Sequence, residues 1–344
     1  AQTMKALVLN RYGGPEQVMF ADLQRPLPKP DEILVQIHAV GLNPVDNKIR
    51  AGEMKPLLRL QLPATMGCDL AGIVVEVGER VTRFKPGDAV FASIFGLGGG
   101  TLAEFAVVAE HAAALKPACL DFVSAASVPM VGLTAWQSLK ERAKVMPGQK
   151  VFIPAGSGGI GTFAIQFAKH LGAEVATTTS AGNTELVRSL GADQIIDYHT
   201  QEFEVVLRDY DAVLSTLPGK SQQKSLQILK SRGSVVSLVG PPDAAFARSK
   251  GMNRFMVFVM WLLAHKFHRL ATKLGVEYSF LLMKPDGCQL AEIGELIEAG
   301  SIRPVIDKVF PFDQAKEALA YLANGRAKGK VVVQMKQTNE SVTK

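Results

Sequence analysis

The hydrophobic and polar positions of this chain follow two different patterns along its length. In the first third, short β-branched runs alternate with Gly, Pro and Asp, as in "MKALVL", "EILVQIHAVGL", "DLAGIVVEVG" and "DAVFAS". Closely spaced short strands separated by turn residues are typical of β-barrels. The pattern therefore predicts a partly open β-barrel in this part of the chain.

The pattern changes near Ser124, where "SAASVPMVGLTAWQSLKERA" has helical spacing. From Lys150 to Gly240, predicted strands alternate with predicted helices, beginning with "KVFIPA" and "GGIGTFAIQFAKHLGA". Such alternation is typical of a parallel sheet that carries helices on both faces. We therefore predict an α/β protein in which a doubly wound parallel sheet follows the barrel strands.

The alternation weakens after Gly240, in a Met- and Phe-rich insertion from Asp243 to about Lys273. Its most lipid-like part, "FMVFVMWLLA", is ten residues long, shorter than the roughly 20 residues that span a bilayer. We interpret it as a buried helix, a lid or a subunit contact rather than an anchor. A strand "VEYSFLLM" and a helix "CQLAEIGELIEAGS" are predicted next, then a final strand and a frayed polar tail, "KQTNESVTK".

Composition indicates a folded protein with more than one core. The chain has 344 residues, of which 47% are hydrophobic and 20% charged, and this length favours two domains. The formal net charge is +6, but the cations look scattered, so we expect a surface that mildly favours anionic ligands and no nucleic-acid partner. The three cysteines are far apart and odd in number. With no signal-peptide pattern at the start, they favour a reducing, cytoplasmic location.

A glycine-rich turn provides the strongest chemical signal. Residues 156–161, "GSGGIG", satisfy G-x-G-x-x-G between a predicted strand and a predicted helix. Gly156 allows the tight turn, Gly158 lets a pyrophosphate approach the backbone, and Gly161 lets the helix pack close to the strand. The turn predicts a dinucleotide site whose anion lies at the helix N-terminus. The alternative is a glycine-rich turn without a ligand.

The residues about 20 positions further on predict which dinucleotide is bound. NAD sites place Asp or Glu there, to accept hydrogen bonds from the ribose 2′-OH. This chain has Thr177-Thr178-Thr179-Ser180 instead. A carboxylate would repel a 2′-phosphate, whereas hydroxyl groups can bind one, so the sequence favours NADP(H) over NAD(H). The alternative is that these residues only complete a strand.

Metal and hydrolase chemistry are disfavoured. Zinc sites need three or four convergent ligands, but Cys68-Asp69 has no neighbouring His–Cys group, and the six histidines are isolated in sequence. Ser157 belongs to the glycine-rich turn rather than to a G-x-S-x-G elbow. We expect no metal site.

The motifs, in this order, resemble the medium-chain dehydrogenase/reductase superfamily, in its zinc-free quinone oxidoreductase branch. The resemblance covers roughly residues 4 to 336 and rests on "GLNPVDNKIRAG", "GCDLAGIVVEVGERVTRFKPGDAVFA", "VGLTAWQSL", "AGSGGIGTFAIQFAKHLGA" and "LGADQIIDY". It implies a GroES-like catalytic domain formed by residues 1–125 and 284–344, and a Rossmann NADP-binding domain at 126–283. It also implies an oligomer, usually a homodimer.

The resemblance implies that both zinc ions of related enzymes are absent here. Zinc-dependent members carry Cys near Asn43 and a Gly-His-Glu motif where this chain has Gly67-Cys68-Asp69. The four-cysteine lobe of those enzymes is missing as well. Related enoyl-thioester reductases place a catalytic Tyr just after the segment that matches "IRAG", where this chain has Glu53-Met54-Lys55. That activity is therefore disfavoured.

The resemblance also implies site residues. The pyrophosphate is expected on residues 157–161 and the 2′-phosphate near Ser180 and Tyr198, while the nicotinamide end is expected near Thr134 and Asn43. Relatives often have a cation soon after the serine of the second strand, but here the first is Arg188. The residues expected to bind NADP(H) are Thr134, Ser157, Gly158, Gly159, Ile160, Gly161, Thr178, Ser180, Tyr198, and Arg326 or Lys328.

We therefore hypothesise an NADPH-dependent oxidoreductase that reduces an apolar acceptor, either a quinone or the activated C=C bond of an enone or enal. Without zinc, hydrogen-bond donors must stabilise the developing oxyanion; Asn43 is the candidate catalytic donor and water the proton source. Alternatively, "GLNPVD" is only a turn before a helix, in which Asp46 accepts backbone N–H groups. Two rival functions are an NADPH-binding module that contacts a partner or RNA, and a zinc-type alcohol dehydrogenase.

Overall fold

The computed structural model describes residues 2–335, so the predicted frayed tail, "KQTNESVTK", lies outside the described residues. The described chain forms two compact units, one from residues 2–133 and 284–335 and the other from residues 134–283. The predicted α/β class is confirmed, with sixteen strands and eleven α-helices among the described residues.

The strands are short, as the turn-rich sequence predicts. They are β1 Thr3–Leu9, β2 Val18–Gln24, β3 Glu32–Leu42, β4 Ala64–Thr65, β5 Asp69–Val77, β6 Ala89–Ser93, β7 Phe105–Ala109, β8 Ala113–Leu115, β9 Lys150–Ile153, β10 Glu174–Thr179, β11 Gln194–Asp197, β12 Tyr210–Ser215, β13 Leu229–Ser237, β14 Glu277–Phe280, β15 Ile306–Pro311 and β16 Lys330–Gln334.

Most helices lie in the second half of the chain. They are α1 Pro44–Ala51, α2 Phe122–Ala126, α3 Pro129–Ala135, α4 Gly159–His170, α5 Thr184–Ser189, α6 Phe203–Val206, α7 Lys220–Gln227, α8 Ala244–Ser249, α9 Arg254–Leu274, α10 Gly287–Glu298 and α11 Ala315–Ala323. A π-helical segment, Trp136–Arg142, continues α3.

The first unit contains the predicted barrel strands. One sheet has the order β2-β1-β4, and a larger one has the order β15-β16-β3-β5-β6-β8, with β7 also paired to β3. Along β1, Leu7 and Leu9 contribute to the main core, whereas Met4, Ala6 and Val8 belong to a smaller one, so alternate residues face opposite sides. The first unit extends to Leu133, beyond the predicted boundary after residue 125: α2 packs on β3 and β5, and the Met130 amide donates to Asp69 Oδ2 at 3.0 Å.

The second unit is a six-stranded parallel sheet with the order β11-β10-β9-β12-β13-β14. This is the Rossmann order, in which the direction of strand addition reverses between β9 and β12. The central strand β9 is apolar, and Val151, Phe152 and Ile153 are fully buried, as expected for a strand covered on both faces. Ligands of such sheets bind at the carboxyl ends of the strands beside this reversal.

The insertion from Asp243 to Lys273 folds as the two helices α8 and α9. Asp243 caps α8 by accepting from the amide of Phe246 at 2.9 Å, and Asn253 caps α9 in the same way at Met256. Only Met260, Ala264 and Ala271 of α9 are buried. The expectation of a buried helix is therefore wrong for the outer face of α9. Within residues 2–335, no helix combines the length and apolarity needed to cross a bilayer.

Candidate cofactor site and active site

The glycine-rich turn follows β9, at the carboxyl edge of the parallel sheet. Ala155 adopts a left-handed φ of +54°, and its amide donates to Thr178 Oγ1 at 3.0 Å. Gly158 is the N-cap of α4. The amide N–H groups in the first turn of a helix have no acceptor within the helix, so residues 159–161 present donors where the positive end of the helix dipole lies.

The three motif glycines differ in what surrounds them. A Cβ on Gly156 would lie 2.1 Å from Thr177 Oγ1, and a Cβ on Gly161 would lie 2.5 Å from the carbonyl oxygen of Ala155. These two glycines are therefore required by close packing inside the turn. A Cβ on Gly158 would meet only the Ala155 oxygen, at 3.5 Å. The space beside Gly158 is open, and it suits a ligand that approaches the backbone, as predicted for a pyrophosphate.

Hydroxyl groups gather at the end of β10. Ser157 Oγ accepts from Thr179 Oγ1 and from Asn183 Nδ2, both at 3.3 Å. Asn183 Nδ2 also donates to Ser180 Oγ at 3.2 Å. These four polar side chains link the glycine turn to the residue that follows β10. Sequence analysis missed Asn183, although its position three residues after Ser180, in the loop that follows a strand, was a usable signal.

The other residues predicted at the 2′-phosphate lie close in the fold but differ in role. Thr178 is buried and its hydroxyl accepts from the Ala155 amide, so it positions the glycine turn. Tyr198 is 57% exposed, and its amide lies 3.4 Å from the carbonyl oxygen of Thr179. Arg188, the first cation after β10, forms an ion pair with Glu185.

In the first unit, Asn43 lies in a buried polar network at the start of α1. Its amide nitrogen Nδ2 donates to Asp69 Oδ2 at 3.2 Å and to the Gly41 carbonyl at 3.4 Å, and its Oδ1 accepts from Lys330 Nζ. The backbone N–H of Asn43 donates to Asp46 Oδ2 at 2.8 Å. Asp46 therefore stabilises the turn before α1, as one of the two interpretations of "GLNPVD" proposed. Asn43 is the N-cap residue of α1, and the bond from Lys330 to its Oδ1 polarises its side-chain amide.

Lys330 is the cation of this network, and sequence analysis missed it. It is only 4% exposed, and Nζ also donates to the Leu42 carbonyl at 2.7 Å. The predicted cations of the same segment, Arg326 and Lys328, are exposed on the loop before β16. Since β16 pairs with β3 in antiparallel register, with Val331 opposite Leu42, a residue remote in sequence is brought to Asn43. No local pattern predicts such a pairing.

Burial dominates the ionisation of this network. It raises the pKa of Asp46 to about 6, although the Asn43 amide opposes the shift. Burial also raises the pKa of Asp69, against the charge of Lys330, and lowers the pKa of Lys330, against the two carboxylates. The Cys68 thiol donates to Asp46 Oδ1 at 3.3 Å, and burial raises its pKa well above the ordinary value.

A cavity of about 190 Å³ lies beside this network in the first unit. Asp46 and Cys68 contribute polar groups to its wall, and Arg59 contributes a cation. Most of the remaining wall is apolar, formed by Leu9, Ile49, Leu57, Leu58, Leu60, Met66, Ile94 and Phe95. An apolar space that ends in a few polar groups is the usual form of a small-molecule site.

Neither unit offers a metal centre in the described chain. Within residues 2–335, no group of three or more His, Cys, Asp or Glu side chains is arranged to hold a metal ion. The charge of Lys330 interacts electrostatically with the Asp46 and Asp69 carboxylates, while its ammonium group donates to the Leu42 carbonyl and to Asn43 Oδ1. Thr134, predicted near the nicotinamide, is buried at the start of the second unit.

Comparisons with known proteins agree with this arrangement. A family model described as "Alcohol dehydrogenase GroES-like domain" matches residues 29–118, and one described as "Zinc-binding dehydrogenase" matches residues 190–333. A Bos taurus protein named NAD(P)H oxidoreductase RTN4IP1, mitochondrial, is 35% identical over 96% of this chain and 89% of its own.

Two further proteins extend the comparison. An Arabidopsis thaliana protein named NADPH-dependent alkenal/one oxidoreductase, chloroplastic, is 34% identical over 96% of this chain and 79% of its own. The solved structure of the quinone oxidoreductase from Coxiella burnetii superposes with a TM-score of 0.84 at 29% identity, covering 97% of this chain and all of that one. Because the similarity extends over both units and includes these motifs, it identifies the family of this chain. The chain belongs to the medium-chain dehydrogenase/reductase superfamily, in its quinone oxidoreductase branch.

Proposed function

We propose that this protein is an NADPH-dependent oxidoreductase that transfers hydride to a quinone or to the activated C=C bond of an enone or enal. The observation that carries the proposal is the turn at residues 156–161. Gly156 and Gly161 are required by internal packing, whereas the space beside Gly158 is open to a ligand. The relatives named as NAD(P)H, alkenal/one and quinone oxidoreductases support the same reaction class.

NADPH is the proposed cofactor rather than NADH. The residues after β10 that would meet the adenosine ribose are Ser180 and Asn183, which are neutral hydrogen-bonding groups. An Asp or Glu at the end of β10 would repel a 2′-phosphate, and none is present there. Ser157 connects this group to the pyrophosphate turn, so one side-chain network would bind both phosphate positions.

The cavity lined by Asp46 and Cys68 is the proposed acceptor site; Asn43 is linked to it through its backbone N–H, which donates to Asp46. Bound nicotinamide supplies the hydride, and the protein must then stabilise the negative charge that develops on the acceptor oxygen. Lys330 donates to Asn43 Oδ1 and so polarises the amide. Asn43 is buried and its Nδ2 already donates to Asp69 and Gly41, at 3.2 and 3.4 Å, so an acceptor oxygen would have to displace the longer of these two bonds.

We propose that the reaction needs no zinc. The positions that resemble the ligands of zinc enzymes hold Asn43, Cys68 and Asp69, and the Cys68 thiol donates to a carboxylate rather than being ionised. Lys330 supplies a positive charge within the same network, where a divalent cation would be repelled. A zinc-type alcohol dehydrogenase is therefore less well supported than a metal-independent reductase.

The remaining expectations stay predictions. The homodimer is predicted from the family resemblance alone. The relatives do not support the cytoplasmic location, since the Bos taurus protein is named as mitochondrial. A module that binds NADPH only to contact a partner or RNA is less well supported, because a largely apolar cavity with Asp46, Cys68 and Arg59 in its wall is suited to a small-molecule substrate.

The proposal is tested by mixing the purified protein with NADPH or NADH and following absorbance at the nicotinamide band. Panels of quinones, enones and enals are supplied as acceptors, and metal content is measured on the same sample. We expect NADPH oxidation with at least one class, insensitive to chelators. Saturable NADPH binding without turnover on any panel would favour the binding module, and stoichiometric zinc required for turnover would favour the alcohol dehydrogenase.

A further inference from the structure

The outer face of α9 exposes a cluster of large apolar side chains. Phe255, Phe258 and Leu262 are 71%, 56% and 59% exposed, and Trp261 and Leu263 are 46% and 58% exposed. Spacings of three, four and seven residues place Phe255, Phe258 and Leu262 on one side of the helix. The cluster is far larger than the single exposed apolar residues that are common on protein surfaces.

The continuation of the same face is basic. Lys266, Arg269 and Lys273 are exposed and follow the apolar cluster at helical spacing. Residues 244–273 contain six Lys and Arg and no Asp or Glu, so this segment carries the same formal charge as the whole chain, +6. None of the six forms an ion pair with another residue of the described range 2–335. The cations that look scattered in the sequence are thus partly concentrated here.

The opposite face holds α9 against the second unit. Met260, Ala264 and Ala271 are buried, and Ala271 belongs to a core cluster that Phe267 and Leu270 also contact. At 1.5 Å per residue, the 21 residues of α9 form a rod about 32 Å long. The buried residues attach α9 to the second unit from Met260 to Ala271, and the opposite face presents an amphipathic strip to its surroundings.

We propose that this strip, the α9 surface, binds the face of an anionic lipid bilayer. It consists of Arg254, Phe255, Phe258, Trp261, Leu262, Leu263, Lys266, Arg269 and Lys273. Helices that lie in the membrane interface combine exposed Trp, Phe and Leu with a Lys- and Arg-rich polar portion. The aromatic half would enter the boundary between headgroups and acyl chains, and the basic half would contact anionic headgroups.

Charge and polarity favour the bilayer over other occupants. A second copy of this chain on the α9 surface would bring two sets of cations together, with no carboxylate in residues 244–273 to compensate them. A nucleic acid would satisfy the cations but would leave Phe255, Phe258 and Leu262 against phosphates and water. Of these three occupants, an anionic membrane satisfies the two halves at once.

The inference goes beyond the proposed reaction and is independent of the cofactor site. Apolar acceptors such as long-chain quinones partition into lipid, so membrane attachment would place the protein at the source of such an acceptor. Vesicle binding and NADPH binding are separate measurements, and either proposal can fail without the other.

The test is sedimentation of the full chain with vesicles of phosphatidylcholine alone, or of phosphatidylcholine with about a third phosphatidylglycerol. We expect binding to the anionic vesicles only, and much weaker binding at about 0.5 M salt, where charges are screened. Trp261 is the more exposed of the two tryptophans, since Trp136 is only 6% exposed. Its emission should shift to the blue on binding and be quenched by lipids brominated in the acyl chain.

Two double variants separate the contributions of the basic and of the apolar residues of α9 to vesicle binding. Lys266→Glu with Arg269→Glu should weaken binding at least 25-fold, since each cation near an anionic surface contributes roughly fivefold, or about 1 kcal/mol. Trp261→Ser with Leu262→Ser should abolish insertion. The matched controls are Lys29→Glu with Arg80→Glu, and Leu27→Ser with Val205→Ser, all at exposed positions outside α9; both should bind vesicles like the parent. Thermal unfolding and NADPH titration check that each variant is folded.

The proposal is overturned if the folded parent does not bind anionic vesicles, or if both α9 variants bind as well as their controls. A concentration-dependent dimer that Trp261→Ser with Leu262→Ser dissociates, in the absence of vesicle binding, would assign the α9 surface to a second copy instead. Stronger retention on RNA than on vesicles, lost in Lys266→Glu with Arg269→Glu, would assign it to a nucleic acid.

Discussion

Substitution of Gly158 separates the binding of the cofactor from the folding of the turn. Gly158 has φ −78° and ψ −179°, an extended conformation that alanine adopts freely. Its added Cβ would have one protein neighbour within 4 Å, the Ala155 oxygen at 3.5 Å, which is an ordinary contact. The Gly158→Ala variant should therefore lose at most about 1 kcal/mol of stability, from the poorer N-cap.

The same methyl group would occupy the space through which a pyrophosphate approaches the helix N-terminus. Loss of one hydrogen bond to a charged oxygen costs about 1.5–3 kcal/mol, so NADPH should bind about 10- to 150-fold more weakly. The contrasting variant is Gly156→Ala, whose Cβ would lie 2.1 Å from Thr177 Oγ1. It should lose about 1–3 kcal/mol of stability through overpacking.

The assay pairs calorimetric titration of NADPH with urea unfolding of the apoprotein. The reasoning predicts that affinity falls in Gly158→Ala at nearly unchanged stability, and that stability falls in Gly156→Ala. If Gly158→Ala bound NADPH within threefold of the parent, no phosphate would approach the backbone at Gly158. The assignment of the turn at residues 156–161 as the pyrophosphate site would then be wrong. Equal destabilisation of both variants would refute the distinction between the two glycines.

Three further changes test other parts of the site. Ser180→Asp should lower the ratio of NADPH to NADH affinity at least about tenfold, since a carboxylate beside a 2′-phosphate costs about 1.4 kcal/mol or more; an unchanged ratio in parallel titrations would place the 2′-phosphate elsewhere. Asp46 has a pKa of about 6 in the folded protein, against an ordinary 3.8. Asp46 therefore keeps its proton to a higher pH in the folded state than in the unfolded state. Stability should fall by about 3 kcal/mol in total as pH rises from about 3 to 7, of which about 2 kcal/mol is lost between pH 4 and 6. In urea unfolding measured over this pH range, Asp46→Asn should lack this decline in stability. Equal declines in the variant and the parent would contradict the role of Asp46. Lys330→Met should reduce the free energy of unfolding by about 2–3 kcal/mol, because the buried Leu42 carbonyl and Asn43 Oδ1 lose their donor; a stability within about 1 kcal/mol of the parent in urea unfolding would contradict this role.

The insertion shows where sequence patterns mislead. Residues 255–264 are apolar enough to be interpreted as buried, yet the buried face of α9 uses only small or flexible residues, among them Met260 and Ala264. Periodicity indicates that a helix has two kinds of face but not which face meets the protein. The absence of acidic residues from 244 to 273 was visible in the sequence and was the signal that this helix is unusual.

The sequence by itself determined the features that depend on neighbouring residues. The alternation of strands and helices, the glycine turn at 156–161 and the neutral end of β10 all follow from local spacing and backbone preference, so their assignment needs no tertiary contact. Only the tertiary structure decided the contacts between remote segments. The register of β16 on β3 brings Lys330 to Asn43, and the loop after β10 brings Asn183 to Ser157. Strand register and loop paths are set by the packing of the whole core, which is why the residues that complete each site lie beyond the reach of any local pattern.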